Sequence, residues 1–299
     1  MNDKKNNEPA KRVAFQGERG AFSEEAIAKL LGDGVEAVPC PTFESLFCAV
    51  AEGRAGRILA PLENSLSGSV HRCYDLLLET SLLIEAEVVL PVAHCLIGCA
   101  GATLTDIRVV ESHPVALAQC RRFLAAHPQL EYRAANDTAA SARRVVERGD
   151  HSIAAIAASR AAKLYGGTVL QRNIQDHAEN FTRFVLLAPA PRSAPDADKI
   201  SLVFQLKHQP GALYKAIGAF AERGLDLLKI ESRPIAGAPW QYLFYLDVST
   251  SINEPAFSNA LNVLENCAEN MRLLGCYRAA ARHSQASTEE KFLWQKKRP

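Results

Sequence analysis

The sequence predicts an α/β protein with two domains, and three observations support that prediction. The chain has 299 residues, of which 48% are hydrophobic, and this is longer than one compact domain usually is. Short strand patterns alternate with short helix patterns as far as residue 189, as in folds built on mostly parallel sheets. A proline-rich segment at 190–199 lacks hydrophobic periodicity and indicates a linker before a second domain at 200–278.

The elements of the first domain, at 12–189, follow from local patterns. The run RVAFQG predicts a strand, and Ser23 is placed to cap a helix that ends before Gly32. The next helix has apolar residues on one face, with Thr42 as its cap and Gly53 as its end. Further strands are predicted at RILAP, IRVVES, EYRAA, SIAAIAA and FVLLAP, and helices at SGSVHRCYDLLLE, PVALAQCRRFLAA, TAASARRVVERG and RAAKLYGG.

The second domain has a different order of elements. Strands are predicted at KISLVFQLKH, LDLLKIESRP, WQYLFYLDVS and MRLLGCYR, and helices at PGALYKAIGAFAERG and EPAFSNALNVLENCAEN. This βαββαβ order predicts a ferredoxin-like sandwich, a fold that hosts many different functions. The residues at 279–299 are polar, and we predict a disordered tail there.

Composition excludes several classes of protein. Basic residues number 34 and acidic residues 33, so the balance predicts no binding to nucleic acid or to a charged membrane surface. The most apolar stretch contains Glu85, Glu87 and His94 and does not predict a membrane span. The first residues lack the apolar core of a secretory signal, and the eight cysteines show no metal-ligand spacing. We therefore predict a cytoplasmic protein with reduced cysteines and no metal.

Three loops of the first domain carry candidate site residues. The loop at 17–23 exposes backbone N–H groups before a helix but lacks dinucleotide-binding spacing, so an ordinary turn is the favoured interpretation. Glu63, Asn64 and Ser65 directly follow a strand, which is where α/β folds bind ligands. A ligand-binding site and an ordinary turn are equally good interpretations of these residues. His113 precedes Pro114 at a helix start, where a histidine is more often a cap than a catalyst.

The run ENFTRFVLL places Asn180, Thr182 and Arg183 at the start of a buried strand. One interpretation is that the strand ends at the protein surface, where polar residues are expected. The other is that the strand end holds a guanidinium and a hydroxyl over a ligand-binding cleft. Together with the loops, these groups suit a small molecule with two negative charges, and no motif calls for a cofactor.

Six motifs follow one another along the chain: APLENSLSGSV, ESHPVALAQC, NDTAASA, NFTRFVLL, PGALYKAIGAF and IESRP. Together and in this order they resemble the prephenate dehydratase family with a C-terminal ACT regulatory domain, and the likeness runs from about residue 12 to residue 278. FQGERGAFSEEA, VHRCYDLLL and LPVAHCLIG are similar to the branch that contains the plant arogenate dehydratases. Val115 and the pair Ala140-Ser141 depart from the family's usual residues. The resemblance implies a monofunctional enzyme whose catalytic domain is two-lobed and periplasmic-binding-protein-like.

The resemblance also implies an activity and its residues. Prephenate would lose carbon dioxide and hydroxide to give phenylpyruvate, in phenylalanine biosynthesis and without a cofactor. The implied catalytic residues are Thr182 as hydrogen-bond donor to the leaving group, Arg183 as a fork for a carboxylate, and Glu63 or His113 as alternative proton donors. The implied substrate-binding residues are Ser23, Asn64, Ser65, Gln119, Asn180 and Phe184. A regular strand would point Thr182 and Arg183 to opposite sides.

The ACT resemblance implies L-phenylalanine as an effector, bound between the subunits of a homodimer or homotetramer. The implied effector-binding residues are Gly211, Ala212, Leu213, Glu231, Ser232, Arg233 and Pro234. Two other functions remain open. An arogenate dehydratase would need only one or two different residues in the cleft. A non-catalytic small-anion binding protein with an amino-acid sensor domain is a more distant alternative, because the Thr182-Arg183 pair argues for catalysis.

Overall fold

The computed structural model describes residues 11–191, 194–235 and 237–281, so most of the predicted tail at 279–299 lies outside the described residues. The first lobe contains β1 (Arg12–Gln16), α1 (Phe22–Leu31), β2 (Glu36–Cys40), α2 (Phe43–Cys48), β3 (Arg57–Asn64), β4 (Gly68–Ser69), α3 (His71–Glu79) and β5 (Leu83–Pro91). Its strands lie in the order β5-β11-β3-β1-β2, in which β11 (Phe181–Ala188) returns from the second lobe.

The second lobe is inserted between β5 and β11. It contains β6 (Cys95–Gly98), β7 (Val109–Ser112), α4 (Pro114–Ala118), α5 (Arg121–Ala126), β8 (Glu131–Ala134), α6 (Thr138–Arg148), β9 (Ile153–Ala157), α7 (Ser159–Tyr165) and β10 (Thr168–Gln171). Its strands form a separate sheet in the order β10-β6-β9-β7-β8. The predicted two-lobed α/β architecture is therefore confirmed.

The prediction of mostly parallel sheets is wrong. In the first lobe β11 runs antiparallel to both β3 and β5, and in the second lobe β6 runs antiparallel to both β9 and β10. The cause is that the chain crosses between the lobes twice. The first strand after each crossing, β6 in the second lobe and β11 in the first, runs antiparallel to the strands beside it. The pairs β1-β2, β1-β3, β7-β8 and β7-β9 are parallel, as predicted.

Local signals placed most helix ends, with two corrections. Thr42 caps α2 as predicted, since its hydroxyl accepts from the Ser45 N–H at 3.1 Å, but the helix ends at Cys48 rather than at Gly53. Gly32 ends α1 with a φ of +74°, as predicted. Ser23 does not cap α1, because Ala21 occupies the N-cap position and Ser23 is buried within the first turn.

The second domain has the predicted βαββαβ order. It contains β12 (Lys199–Leu206), α8 (Ala212–Ala221), β13 (Asp226–Pro234), β14 (Tyr242–Ser249), α9 (Pro255–Cys267) and β15 (Ala268–Tyr277). The strand order β13-β14-β12-β15 is that of a ferredoxin-like sheet. One face of this sheet packs on α8 and α9, in a core that includes Phe204, Phe220 and Phe257.

The other face of this sheet packs on the first lobe. Val203, Tyr245, Leu274 and Tyr277 are buried in the same hydrophobic cluster as residues of β3 and α3. One bridge, between Gly275 and Ile84, joins β15 to β5, so that the strands of both domains form a single ten-stranded sheet. A Cβ at position 275 would collide with the Ile84 carbonyl oxygen, which explains why glycine stands there.

Within the described ranges, no helix is both long enough and apolar enough to cross a bilayer.

Candidate active site

The site is organised by the start of β11. The sequence predicted that this strand begins at Phe184, but it begins at Phe181 and pairs Thr182 with Asn64 and Arg183 with Glu63. Thr182 and Arg183 therefore lie as consecutive paired residues of this strand, and the register with β3 shifts only after Arg183, so their side chains point to opposite faces of the sheet. One face carries Thr182 and Asn64. The other carries Arg183 and Glu63 towards the second domain.

A cluster of amides surrounds the Thr182 hydroxyl. The Asn64 Nδ2 group lies 3.0 Å from Thr182 Oγ1 and 2.7 Å from Asn180 Oδ1. Asn180 is fully buried, and its Nδ2 group donates to Gln119 Oε1 at 3.0 Å. The structure thus brings together four of the predicted site residues, which come from β3, β11, the segment before β11 and the end of α4. We call Asn64, Gln119, Asn180 and Thr182 the amide cluster.

The orientation of Asn64 sets the hydrogen bonding of Thr182. Asn64 Oδ1 accepts from the backbone N–H groups of Leu66 and Ser67 at 3.0 and 2.9 Å, so the Nδ2 group must face Thr182. Thr182 Oγ1 is therefore an acceptor towards Asn64, and its own hydrogen is left to donate elsewhere. A hydroxyl that accepts one hydrogen bond is polarised into a stronger donor.

Arg183 does not lie in the amide cluster, and its predicted role as a fork for a substrate carboxylate stays a prediction. Its Nε donates to Glu87 at 2.7 Å, and its two terminal nitrogens donate to Asp247 at 2.6 Å and to the Tyr277 hydroxyl at 2.9 Å. Lys199 lies 3.0 Å from Glu87 and completes the group. We call Arg183, Glu87, Asp247, Tyr277 and Lys199 the interdomain cluster.

Burial and charge act against each other in the interdomain cluster. Burial alone would raise the pKa of Asp247, but the charges of Arg183 and Lys199 outweigh it and hold that pKa below the ordinary value. Burial raises the pKa of Tyr277 well above its ordinary range, so this hydroxyl stays protonated. Two cations thus face two anions and a neutral phenol, all largely buried.

Glu63 is likewise turned away from Thr182. Its carboxylate lies 3.0 Å from Lys229 Nζ on the second domain, so the predicted role of Glu63 as a proton donor to the leaving group is not supported by its position. A cavity of about 1610 Å³ lies on this face, and Glu63, Arg183, Lys199 and Lys229 are among its lining residues. This cavity separates the first lobe from the second domain and does not include Thr182.

The remaining predicted residues have mainly structural contacts. Ser65 links the loop to the strand, since its hydroxyl donates to the Glu179 carbonyl and accepts from the Phe181 N–H, both at 2.9 Å. Phe184 is 3% exposed and packs in the core shared by the two lobes, so it does not line a cleft. His113 caps α4, because its Nδ1 accepts from the Val115 N–H at 3.2 Å.

The predicted effector residues divide between two faces of β13. Glu231 accepts from the Ser69 hydroxyl at 2.8 Å, and Arg233 donates to both oxygens of Asp75 at 3.1 Å, so both side chains are hydrogen-bonded to the first lobe. Alternation places Ser232 and Pro234 on the opposite face. Their role as effector-binding residues stays a prediction, whereas Glu231 and Arg233 are occupied elsewhere.

The start of α8 partly fits its predicted role. Gly211 is its N-cap with a φ of +79°, and Leu213 is 37% exposed. The Ala212 N–H already donates to the Gln209 carbonyl at 3.2 Å, so it is not available to a ligand as predicted.

Comparison with known proteins agrees with this architecture. The Arabidopsis thaliana protein "Arogenate dehydratase/prephenate dehydratase 2, chloroplastic" is 43% identical over 278 residues, which cover 89% of this chain and 72% of that protein. A solved prephenate dehydratase from Arthrobacter aurescens in complex with L-Phe has a TM-score of 0.81 at 32% identity and covers 90% of each chain. A solved structure described as "GqqA- a novel type of quorum quenching acylases" has a TM-score of 0.82 at 36% identity, covering 90% of this chain and 98% of that one.

The fold and the position of the amide cluster define a two-lobed α/β enzyme fused to a ferredoxin-like domain. The family model described as prephenate dehydratase matches residues 13–192, which is more than half of the chain. The chain belongs to the prephenate dehydratase family.

Proposed function

We propose that this chain is a carbon–oxygen lyase that converts prephenate to phenylpyruvate in the biosynthesis of L-phenylalanine. The observation that carries the proposal is the hydrogen bonding of Thr182 in a chain that belongs to this family. Asn64, fixed by two backbone N–H groups, donates to Thr182 Oγ1 and leaves the threonine hydrogen to donate to a departing hydroxyl group.

The reaction requires little more than positioning and one hydrogen-bond donor. The electron pair of the bond to the departing carboxylate moves into the ring, carbon dioxide leaves, and the bond to the ring hydroxyl breaks. The departing hydroxide takes up a proton and becomes water, and the ring becomes aromatic. Thr182 stabilises the negative charge that develops on the leaving oxygen, and Asn64 and Asn180 hold Thr182 in place.

The test is a direct comparison of two substrates. The full chain, incubated separately with prephenate and with arogenate, is expected to form phenylpyruvate from prephenate with the higher kcat/KM. A higher kcat/KM for arogenate, measured as phenylalanine, would establish the alternative function, which the names of the plant relatives favour. Failure to convert either substrate would refute the proposal and return the chain to the class of binding proteins.

Acyl hydrolysis is not favoured for this chain, although one similar structure is named an acylase. A threonine nucleophile needs a base that accepts its hydrogen. Among the residues described, the side-chain partner of the Thr182 hydroxyl is the Asn64 Nδ2 group, which donates and cannot act as a base.

The second domain is proposed to be an ACT module that senses L-phenylalanine. The Arthrobacter aurescens relative of known structure is a complex with L-Phe, which supports phenylalanine as the effector. We propose that its carboxylate binds at Gly211 and that Leu213, Ser232 and Pro234 complete the site. β13 is an edge strand with Ile230 47% exposed, so pairing of two such edges in a homodimer would close the site.

A cytoplasmic setting is also part of the proposal. All eight cysteines are free thiols, as expected in a reducing compartment. The Arabidopsis thaliana relative, by contrast, is chloroplastic by name.

Gly211→Val is expected to abolish inhibition by phenylalanine while leaving uninhibited turnover largely intact. A β-branched residue is strained at the positive φ of this position, so the turn before α8 must change shape. Gly224→Val is the matched control, because Gly224 has a φ of +69° and equally open surroundings but lies after α8. The measurement is turnover against phenylalanine concentration. Equal inhibition of wild type and Gly211→Val would place the effector elsewhere.

A further inference from the structure

His94 is connected to Thr182 through the amide cluster. Its Nε2 lies 2.9 Å from Gln119 Oε1, which is the same oxygen that accepts from Asn180. The residue sits between β5 and β6, where the chain crosses from one lobe to the other, and it is 3% exposed. In the sequence, His94 stands out only as one of the polar residues that interrupt the most apolar stretch.

The direction of every hydrogen bond in this chain of residues is determined. Asn64 Oδ1 is held by two backbone N–H groups, so Asn64 must donate through Nδ2 to Asn180 Oδ1. Asn180 must then donate through its own Nδ2 to Gln119 Oε1. Since Asn180 Nδ2 can only donate, the Gln119 atom that faces it must be Oε1, and this same atom lies next to His94.

The hydrogen bond to Gln119 fixes the histidine tautomer. Gln119 Oε1 can only accept, so the hydrogen of a neutral His94 must be on Nε2. The opposite nitrogen, Nδ1, is then a bare acceptor, and it is buried without a partner among the described residues. Burial lowers the pKa of His94, against the effect of the Gln119 hydrogen bond, so the ring is neutral near neutral pH.

The position of the ring is also fixed. The backbone N–H of His94 donates to the Gln175 side chain at 3.0 Å, and its carbonyl accepts from the Ile174 N–H at 3.0 Å. The ring meets Phe22, at the start of α1, edge-to-face with centroids 5.5 Å apart. One imidazole is therefore held by both lobes at the crossing between them.

We propose that His94 is a positioning residue for the dehydration, acting as a neutral Nε2–H donor that locks Gln119, Asn180 and Asn64 and so holds the Thr182 hydroxyl in its donating orientation. This inference rests on the proposed function. Without the Nε2–H donor, Gln119 loses one of the three side-chain partners that hold its amide, and the amides up to Thr182 gain alternative orientations. Misplacement of a catalytic group by about 1 Å can cost on the order of a hundredfold in rate.

Two substitutions separate this role from simple packing. A glutamine amide reaches the position of Nε2 and can donate to Gln119, whereas an asparagine amide reaches only the position of Nδ1. His94→Asn is expected to lower kcat by about tenfold to a hundredfold with little change in KM. His94→Gln is expected to retain turnover about tenfold higher than His94→Asn. Equal losses in the two variants would overturn the proposal.

The control is His127→Asn. His127 lies in the second lobe, where its Nδ1 is 2.8 Å from the Phe123 carbonyl and its ring packs at a tilt against Phe123. This variant is expected to keep wild-type kcat, and a loss comparable to that of His94→Asn would show that any disturbance of the lobe lowers turnover.

A second measurement tests whether His94 acts through Thr182. In a Thr182→Ala background, His94→Asn is expected to cost less than about threefold in residual kcat, because the hydroxyl that it positions is already absent. A full additional tenfold loss would show that His94 acts independently and would overturn the proposal.

The tautomer provides a test that does not depend on activity. In the full chain labelled with ¹⁵N-histidine, the His94 signals, identified by their loss in His94→Gln, are expected to show a protonated Nε2 and a bare Nδ1. The opposite tautomer would overturn the proposal whatever the turnover of the variants. If wild type converts neither prephenate nor arogenate, the proposed function fails, and the tautomer still decides whether the hydrogen-bond directions are correct.

Discussion

Thr182→Ala is expected to fold normally and to lose turnover by on the order of a hundredfold or more. The change removes one hydroxyl from a half-buried position, and the Asn64 Nδ2 group keeps its bonds to Asn180 and to the Phe181 carbonyl. Folding therefore loses little. Catalysis loses the group that donates to the departing hydroxyl. The measurement is kcat with prephenate, together with the thermal midpoint of each protein.

Thr182→Ser provides the control, because it keeps the hydroxyl beside Asn64 and removes only a methyl group. Its turnover is expected to stay well above that of Thr182→Ala. If Thr182→Ala instead keeps near wild-type kcat, the threonine is not the donor and the proposed mechanism fails.

Arg183→Leu is expected to lower the free energy of unfolding by about 3–5 kcal/mol, as for other broken buried ion pairs. Arg183 is 11% exposed at its side chain and bonds Glu87, Asp247 and Tyr277. Its removal leaves two buried carboxylates with Lys199 as their remaining cation in the interdomain cluster. Urea unfolding of both proteins measures the difference. Arg133→Leu is the control, because Arg133 forms an exposed pair with Glu131 and should change little.

The effect of Arg183→Leu should depend on pH with a definite sign. In wild type the pKa of Asp247 lies below its ordinary value, so its stabilisation is present above the unfolded pKa and is lost as pH falls. In the variant, the charge that lowers this pKa most is gone, so burial is offset less and the stabilisation above the unfolded pKa is smaller. The difference between the two proteins should therefore grow from about pH 4 to about pH 7. A difference that shrinks over this range would contradict the assigned charges.

Elements with strong local signals could be predicted from the sequence, but breaks caused by distant contacts could not. The run at 114–126 has one continuous helical pattern, yet it forms α4 and α5 with a break at Gln119 and Cys120. The Asp176 carboxylate accepts from the N–H groups of Arg121 and Arg122 and so gives α5 a helix start of its own. Since Asp176 lies more than 50 positions further along the chain, local pattern could not reveal this break.

The site could be predicted only in part, because some of its contacts also join residues that are distant in the sequence. Motifs found Thr182, Asn64, Gln119 and Asn180, which the structure brings together. They also grouped Arg183 with Thr182, although its partners are Glu87, Asp247 and Tyr277, and two of these belong to the other domain.

His94 was missed, although one signal for it was present in the sequence. A histidine inside the otherwise apolar run LPVAHCLIG must find hydrogen-bond partners when that run is buried.

The bridge between Gly275 and Ile84 limits how freely these two domains can be exchanged in evolution. Many multidomain enzymes gain a sensor by fusion through a flexible linker, and each part keeps its own surface. Here the sheet of the second domain continues that of the first lobe, and Val203, Tyr245 and Leu274 supply part of the lobe's own hydrophobic interior. A transplanted domain would have to bring a glycine at the bridge and matching apolar side chains with it. A change in the apolar residues on one side of this junction is therefore expected to require a matching change on the other side.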